Sequence, residues 1–436
     1  MMIVGVWLLE PAITLAEQGF RMSPRLNTQL KAETALRNDA QARAYFYAAD
    51  GEPHAVGTLM KNPALAEVLR GIAARGSAAL SAGPVAADIV RRVRGHATNP
   101  GLLTEADLAG YTAKRRESIC TDWKAVWRVC GFPPPSSGHI AVMQILGLLE
   151  RTTPVSQPLA DKLPGADWLH TYTEAARLAY ADRAQYLGDP DFVAPPAGRW
   201  TSLLDDTYLR QRAALIGRES MKTAKPGVPA GAASALSAQA EQPEFGTSHI
   251  SIVDGDGRAI AMTTTIEDVF GARLMSDGGT GKAGGFLLNN ELTDFSFVPT
   301  DADGKPIANR VQPGKRPRSS MSPMLVFDKR DGKLAMSLGS PGGAAIIHFA
   351  AKTLVGTLEW GLDAQRAIDL PNFGSFNGPT VLERGRFPAA TIEALKARGH
   401  LVNEIDMTSG LQAIQRRGGG WFGGADPRRE GVVMGD

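Results

Sequence analysis

The chain has 436 residues, 43% of them hydrophobic and 21% charged, with a formal net charge of +2. This is an ordinary globular composition, long enough for two or three domains or for one large layered α/β unit. The balanced, dispersed charge excludes a nucleic-acid footprint, and no apolar run reaches the length of a membrane-spanning helix.

The first ten residues are apolar but lack a basic leading region and a small-residue cleavage site, so they are not read as a signal peptide. The first half then reads mostly helical. Ser23-Pro24 and Asn62-Pro63 are N-cap and first-turn proline pairs, and Gly76 closes the second of these helices. Thr104-Glu105-Ala106-Asp107 is a capping box with Asp in place of Glu. Cys120 and Cys130 flank a hairpin, as a cross-strand disulfide or as two buried thiols. Pro133-Pro134-Pro135-Ser136-Ser137-Gly138 is a stiff approach to a buried helix through Ile140, Ile145, Leu146 and Leu149, and a long helix follows from Asp167 to Leu187. The seven histidines are scattered without Cys/His ligand spacing, so neither a metal nor a cofactor is expected.

From Lys225 to Glu244 the chain is rich in Ala, Gly, Pro and Ser and has no sustained period, so it reads as a structureless linker. It ends at Phe245-Gly246-Thr247. An alternating pattern starts at Ser248, turns at Asp254-Gly255-Asp256-Gly257 and returns from Ala259 to Ile266, predicting a β-hairpin. If the Gly246–Thr247 bond is cut, Thr247 becomes a terminus carrying a nucleophilic hydroxyl and its own basic α-amine. The plainer reading is a linker feeding an ordinary hairpin. Beyond it come further strands and Gly-rich turns, a buried helix from Ala344 to Trp360, and short strands near 380–383, 401–405 and 411–415. Helices in one half and strands in the other predict packed α and β layers, an α+β fold with a sheet-based site.

Four segments of the second half carry more small polar residues than a core needs: 263–267, 284–296, 315–323 and 339–343. Ser319 and Ser320 suit a carboxylate, and Glu291 and Asp294 an ammonium group. Gly342 and Gly343, ahead of a helix, suit an oxyanion. Taken singly, each has a bland alternative: loop solvation, a solvated acidic face, a tight turn.

Together these segments resemble the gamma-glutamyltransferase (glutathione hydrolase) family of N-terminal nucleophile hydrolases, from about Leu8 to the C-terminus. The resemblance rests on 133–138, Tyr180-Ala181-Asp182-Arg183, Tyr186-Leu187-Gly188-Asp189-Pro190, Thr247-Ser248-His249, 287–296, 316–323, 339–343 and Ala425-Asp426-Pro427-Arg428. It implies an αββα sandwich, incomplete at the N-terminus. It also implies self-cleavage between Gly246 and Thr247, giving a mostly helical large-subunit portion, 1–246 (flexible linker 225–246), and a strand-rich catalytic subunit, 247–436, held as a heterodimer. Thr247 is then the nucleophile and Thr265 its hydrogen-bonding support. Ser319 and Ser320 hold the α-carboxylate of a γ-glutamyl donor, Glu291 and Asp294 hold its α-amine, and Gly342 and Gly343 supply oxyanion N–H groups. The acyl group passes to water or to an amino-acid or peptide amine, with no cofactor.

Two departures from the family pattern stand out. Members carry a long segment ahead of the first matching residues, with core strands and an arginine for the donor carboxylate; Arg273 and Arg318 are the candidates to replace it. Glu267 stands where characterised members have asparagine, crowding three acids into one substrate-binding pocket and raising at least one pKa. The alternatives to a γ-glutamyl enzyme are a same-fold acylase for another amide, such as a β-lactam side chain, and a truncated non-catalytic remnant. Relatives are exported to the periplasm or outside the cell, whereas this chain shows no signal.

Overall fold

The computed structural model describes residues 2–232, 235–240, 242 and 246–435. Glu244 and Phe245, at the linker's end, lie outside the described residues. The chain folds into two compact units, Met1–Arg115 with Asp268–Asn290, and Arg116–Glu267 with Glu291–Asp436.

The first unit is helical. Pro24–Ala32 starts at Ser23, whose hydroxyl accepts from the Leu26 N–H, and Pro63–Arg75 starts at Asn62, which accepts from Leu65. The predicted box is present: Thr104 caps Asp107, and Asp107 reaches back to the Thr104 N–H. Tyr45, Phe46, Met60, Phe270 and Met275 share one small core, which ties the 268–290 excursion to the N-terminal helices. Asn62 strengthens that tie by exchanging two hydrogen bonds with the Gly285 backbone, at 2.8 and 2.7 Å. An N-terminal helix, Met2–Gln18, carries Pro11 inside it.

The second unit is built on a six-stranded antiparallel sheet. Its order is Gly420–Ala425, Gln412–Arg417, Leu334–Gly339, Met324–Asp328, Trp127–Gly131 and Ile119–Trp123. Cys120 and Cys130 face each other across the outer pair and are joined in a disulfide. The Gly138–Leu149, Ala166–Tyr186 and Ile346–Leu354 helices are buried over most of their length, and Val142, Leu146, Tyr172 and Phe349 pack there with Val326, Met336 and Leu338 of the sheet.

The predicted hairpin pairs Ser248–Val253 with Ala259–Thr264 and stacks on the sheet. Its alternation is inverted relative to an ordinary half-buried ribbon. His249, Ser251 and Thr263 form an inner hydrogen-bonded set, and Ser337 of the sheet donates to Ser251 Oγ (3.0 Å) and to the Ile260 carbonyl (3.1 Å). Ile250 pairs with Met262 and Ile252 with Ile260 on the other face, where these four side chains are 42–54% exposed.

The linker departs from expectation. Its described residues form no helix, but they are pinned to the second unit by polar bonds. Ser237 pairs with Pro306 and donates to Asp301, Gln239 accepts from Asn309 (3.0 Å), and Gln242 donates to the Thr293 and Phe295 carbonyls. Apolar content alone underestimates such a segment, because amide and hydroxyl groups dock it instead.

Candidate active site

Thr247 sits immediately before the first hairpin strand and Thr265 just after the second, so the antiparallel ladder returns one to the other. Thr265 Oγ1 donates to the Gly246 carbonyl at 3.4 Å and accepts from the Glu267 N–H at 2.8 Å. The incoming N–H directs the hydroxyl proton at the carbonyl of the Gly246–Thr247 bond. Glu267 reaches this position with φ of 74°, in the left-handed region that favours Gly and Asn.

Thr247, Thr265, Glu267, Asp294, Ser319, Ser320 and Gly343 line one pocket together with Met321 and Ile346. The hydroxyl pair is held by the stiff proline approach. Ser137 N–H and Oγ both donate to the Ser319 carbonyl at 2.8 Å, and Ser136 Oγ donates to the Met321 carbonyl at 2.6 Å. Gly342 has φ of 137°, and a Cβ there would lie 2.5 Å from the Phe349 ring, so only glycine fits this turn ahead of the Ile346–Leu354 helix. Gly342 itself lines the larger neighbouring cavity with Tyr180 and Arg183.

Glu291 and Asp294 stand on a short 3-10 turn, Glu291–Asp294. Burial, and then the Glu267 carboxylate, push Glu291 up to about 7. The crowding expected from the sequence is the second cause, after burial, and the Asp294 hydrogen bond opposes both. Thr293 Oγ1 donates to Glu267 at 2.9 Å. His249, two residues past Thr247, is turned away to the sheet: its ring lies so close that a Cβ on Gly339 would be 2.3 Å from it. Burial pushes this imidazole down to about 4, leaving it neutral. No described residue lining the pocket is a histidine.

A gamma-glutamyltranspeptidase family model matches residues 7–436. The chain belongs to the gamma-glutamyltranspeptidase family. It is 34% identical over 430 residues to the glutathione hydrolase proenzyme of Escherichia coli (strain K12), covering 97% of this chain and 70% of that one. It is 30% identical to the Acylase ACY 1 proenzyme of Pseudomonas sp. (strain V22), over 96% of this chain and 69% of that one. In fold it is similar to the crystal structure of cephalosporin acylase from Bacillus halodurans, with a TM-score of 0.79 and 24% identity, covering 97% of this chain and 73% of that one. This family member is thus an enzyme with the N-terminal nucleophile hydrolase fold.

Of the two arginines named from the sequence, Arg273 belongs to the first compact unit, where it pairs with Glu33 and Asp268 at 3.0 Å. Arg318 is buried and donates to the Arg183 carbonyl. Sequence reasoning missed Arg429, which donates to the Thr247 carbonyl (3.2 Å) and to the Thr408 carbonyl (3.3 and 3.1 Å). The 425–428 motif carries it there: buried Asp426 accepts from Ser409, Leu411 and Arg428, and Arg428 grips Glu383 through two 2.7 Å bonds. It missed Arg183 as well, which donates to Ser137 Oγ (2.8 Å) and Ser320 Oγ (2.5 Å).

One group among the described residues, His170, Glu174 and His400, brings potential ligand atoms within 4.8 Å of one another. Each is committed to a hydrogen bond. His170 bridges His400 and the Gly217 carbonyl, His400 meets Thr380, and Glu174 accepts from Arg177 and the Met221 N–H. No described helix is long and apolar enough to cross a membrane.

Proposed function

We propose that this protein is a self-processing γ-glutamyl hydrolase and transferase whose nucleophile is Thr247. The observation that carries the reading is the convergence of Thr247, Thr265, Asp294 and the Ser319/Ser320 pair on one pocket. In the uncut chain Thr247 Oγ attacks the Gly246 carbonyl carbon, which Thr265 polarises. The peptide C–N bond breaks as the ester forms, and water then hydrolyses the ester. Gly246 leaves as a carboxylate and Thr247 gains a free α-amine. Residues 1–246 and 247–436 remain together as two subunits.

In the mature site the Thr247 amine takes the hydroxyl proton and returns it to the leaving amine of the donor, because the nearby His249 faces the sheet and, pushed down to about 4 by burial, is a poor base. Ser319 and Ser320 receive the donor's α-carboxylate, Glu291 and Asp294 its α-ammonium, and the Gly342–Gly343 turn the oxyanion. The γ-glutamyl ester on Thr247 passes to water or to an amino-acid or peptide amine. Intact mass after incubation near neutral pH tests this: two fragments meeting at Gly246/Thr247, together with release of p-nitroaniline from γ-glutamyl-p-nitroanilide, are expected. Thr247→Ala stays uncut and inactive; self-cleavage or turnover by that variant refutes the proposal.

Glu267 favours a second reading, an acylase for a different amide, because a carboxylate beside Asp294 in the pocket lining suits a donor more cationic than glutamate. Hydrolysis of a non-glutamyl amide with higher kcat/KM than the γ-glutamyl one establishes that alternative.

A further inference from the structure

We infer that Arg183 is the positioning residue that supplies fixed positive charge to the carboxylate side of this pocket, acting through Ser320; this rests on the donor reading above. Arg183 lies in the last turn of the Ala166–Tyr186 helix, where a cation is favoured by the helix's negative end. Its guanidinium forks. Nε donates to Ser137 Oγ (2.8 Å) and one terminal nitrogen to Ser320 Oγ (2.5 Å). Ser137 Oγ in turn donates to the Ser319 carbonyl (2.8 Å), so one side chain, 6% exposed, braces both members of the hydroxyl pair.

A serine that accepts from a guanidinium has its own O–H polarised, and it donates more strongly to an anion. A carboxylate seated on Ser320 then lies one hydroxyl away from a charge that does not titrate in the working range. The same helix turn governs the neighbouring loop: Tyr180, one turn earlier and under the Arg183 cation (5.6 Å), donates to the Ala344 carbonyl at 2.6 Å. The Tyr180–Arg183 motif thus holds the carboxylate side and the glycine turn in one frame.

The test compares two donors on the full chain: γ-glutamyl-p-nitroanilide, and 4-aminobutyryl-p-nitroanilide, which is the same donor without its α-carboxylate. In Arg183→Gln, KM for the first donor should rise about ten- to a hundredfold, the weight of one charged hydrogen bond. The change with the second donor should be threefold or less, and kcat should move little with either. Arg183→Lys restores part of the loss. Ser137→Ala, which keeps the Ser320 bond, falls between wild type and Arg183→Gln and serves if the glutamine variant does not fold. Equal penalties on both donors, with the wild-type preference for γ-glutamyl intact, overturn the Arg183 inference alone. A wild-type chain that uses both donors equally overturns the donor reading and this inference with it.

Discussion

The two sides of the pocket are built on opposite principles. On the hydroxyl side, Ser319 and Ser320 are held by backbone bonds from the Ser136–Gly138 approach and by a buried guanidinium whose charge is fixed. On the acidic side, Asp294 lines the pocket from a single 3-10 turn that it shares with Glu291, and the charge on that turn varies, because Glu291 is pushed up to about 7 by burial and by Glu267. Under the proposed donor reading, a zwitterion would meet one rigid, pH-independent contact and one whose strength is set by protonation. Preorganisation on one side lets the other be tuned without loss of register.

The largest expected effect breaks the rigid side. The Ser319→Ala/Ser320→Ala double variant removes two hydrogen bonds to a carboxylate, worth about 1.5–3 kcal/mol each, so KM for a γ-glutamyl donor should rise about a hundredfold or more. A donor without the α-carboxylate should be far less affected. Equal losses on both donors would mean that the hydroxyls support the loop and not the ligand.

Next comes the variable side. With Glu291 holding the donor ammonium as its carboxylate, as proposed, donor KM should fall as pH rises through about 7, and Glu291→Gln should flatten that profile while costing about tenfold in KM at pH 8. The stability sign is opposite. A carboxyl whose folded pKa is raised contributes its stability below its ordinary value, and that contribution is lost as pH rises through about 7. The unliganded Glu291→Gln protein should therefore melt higher than wild type at pH 8 and no higher at pH 4. A wild-type profile flat between pH 6 and 8 would remove Glu291 from donor binding.

Glu267→Asn sharpens the comparison further. It removes the second cause of the Glu291 shift and places a residue suited to φ of 74°, leaving burial in force. The KM midpoint should move about one unit toward acid. An unmoved midpoint would assign the whole shift to burial.

Much of this site can be read from the sequence because its parts are local. The Gly246–Thr247 step, the hairpin turn and the Thr265 return lie within one ribbon, and period-two alternation with a Gly-rich turn marks it. The helix starts at Ser23, Asn62 and Thr104 are likewise three-residue signals. The braces are not local. Arg183 meets Ser320 across 137 residues and Arg429 meets Thr247 across 182, and neither pairing leaves a periodic trace. The inverted hairpin was equally hidden. Alternation reveals that a ribbon has two faces, not that the face with His249, Ser251 and Thr263 is the one turned to the sheet. The linker misled because compositional reading weighs apolar burial and overlooks docking through Ser237, Gln239 and Gln242.

The smallest effect concerns Thr293, whose hydroxyl donates to Glu267 from an exposed position on the acidic turn. Thr293→Val keeps the shape and deletes the donor, a loss of about 0.5–1.5 kcal/mol at most because water can replace an exposed partner. Donor KM at pH 8 should change by no more than about threefold. A tenfold loss would show that this one bond sets the position of the whole 3-10 turn, which would make the acidic side as rigidly built as the hydroxyl side.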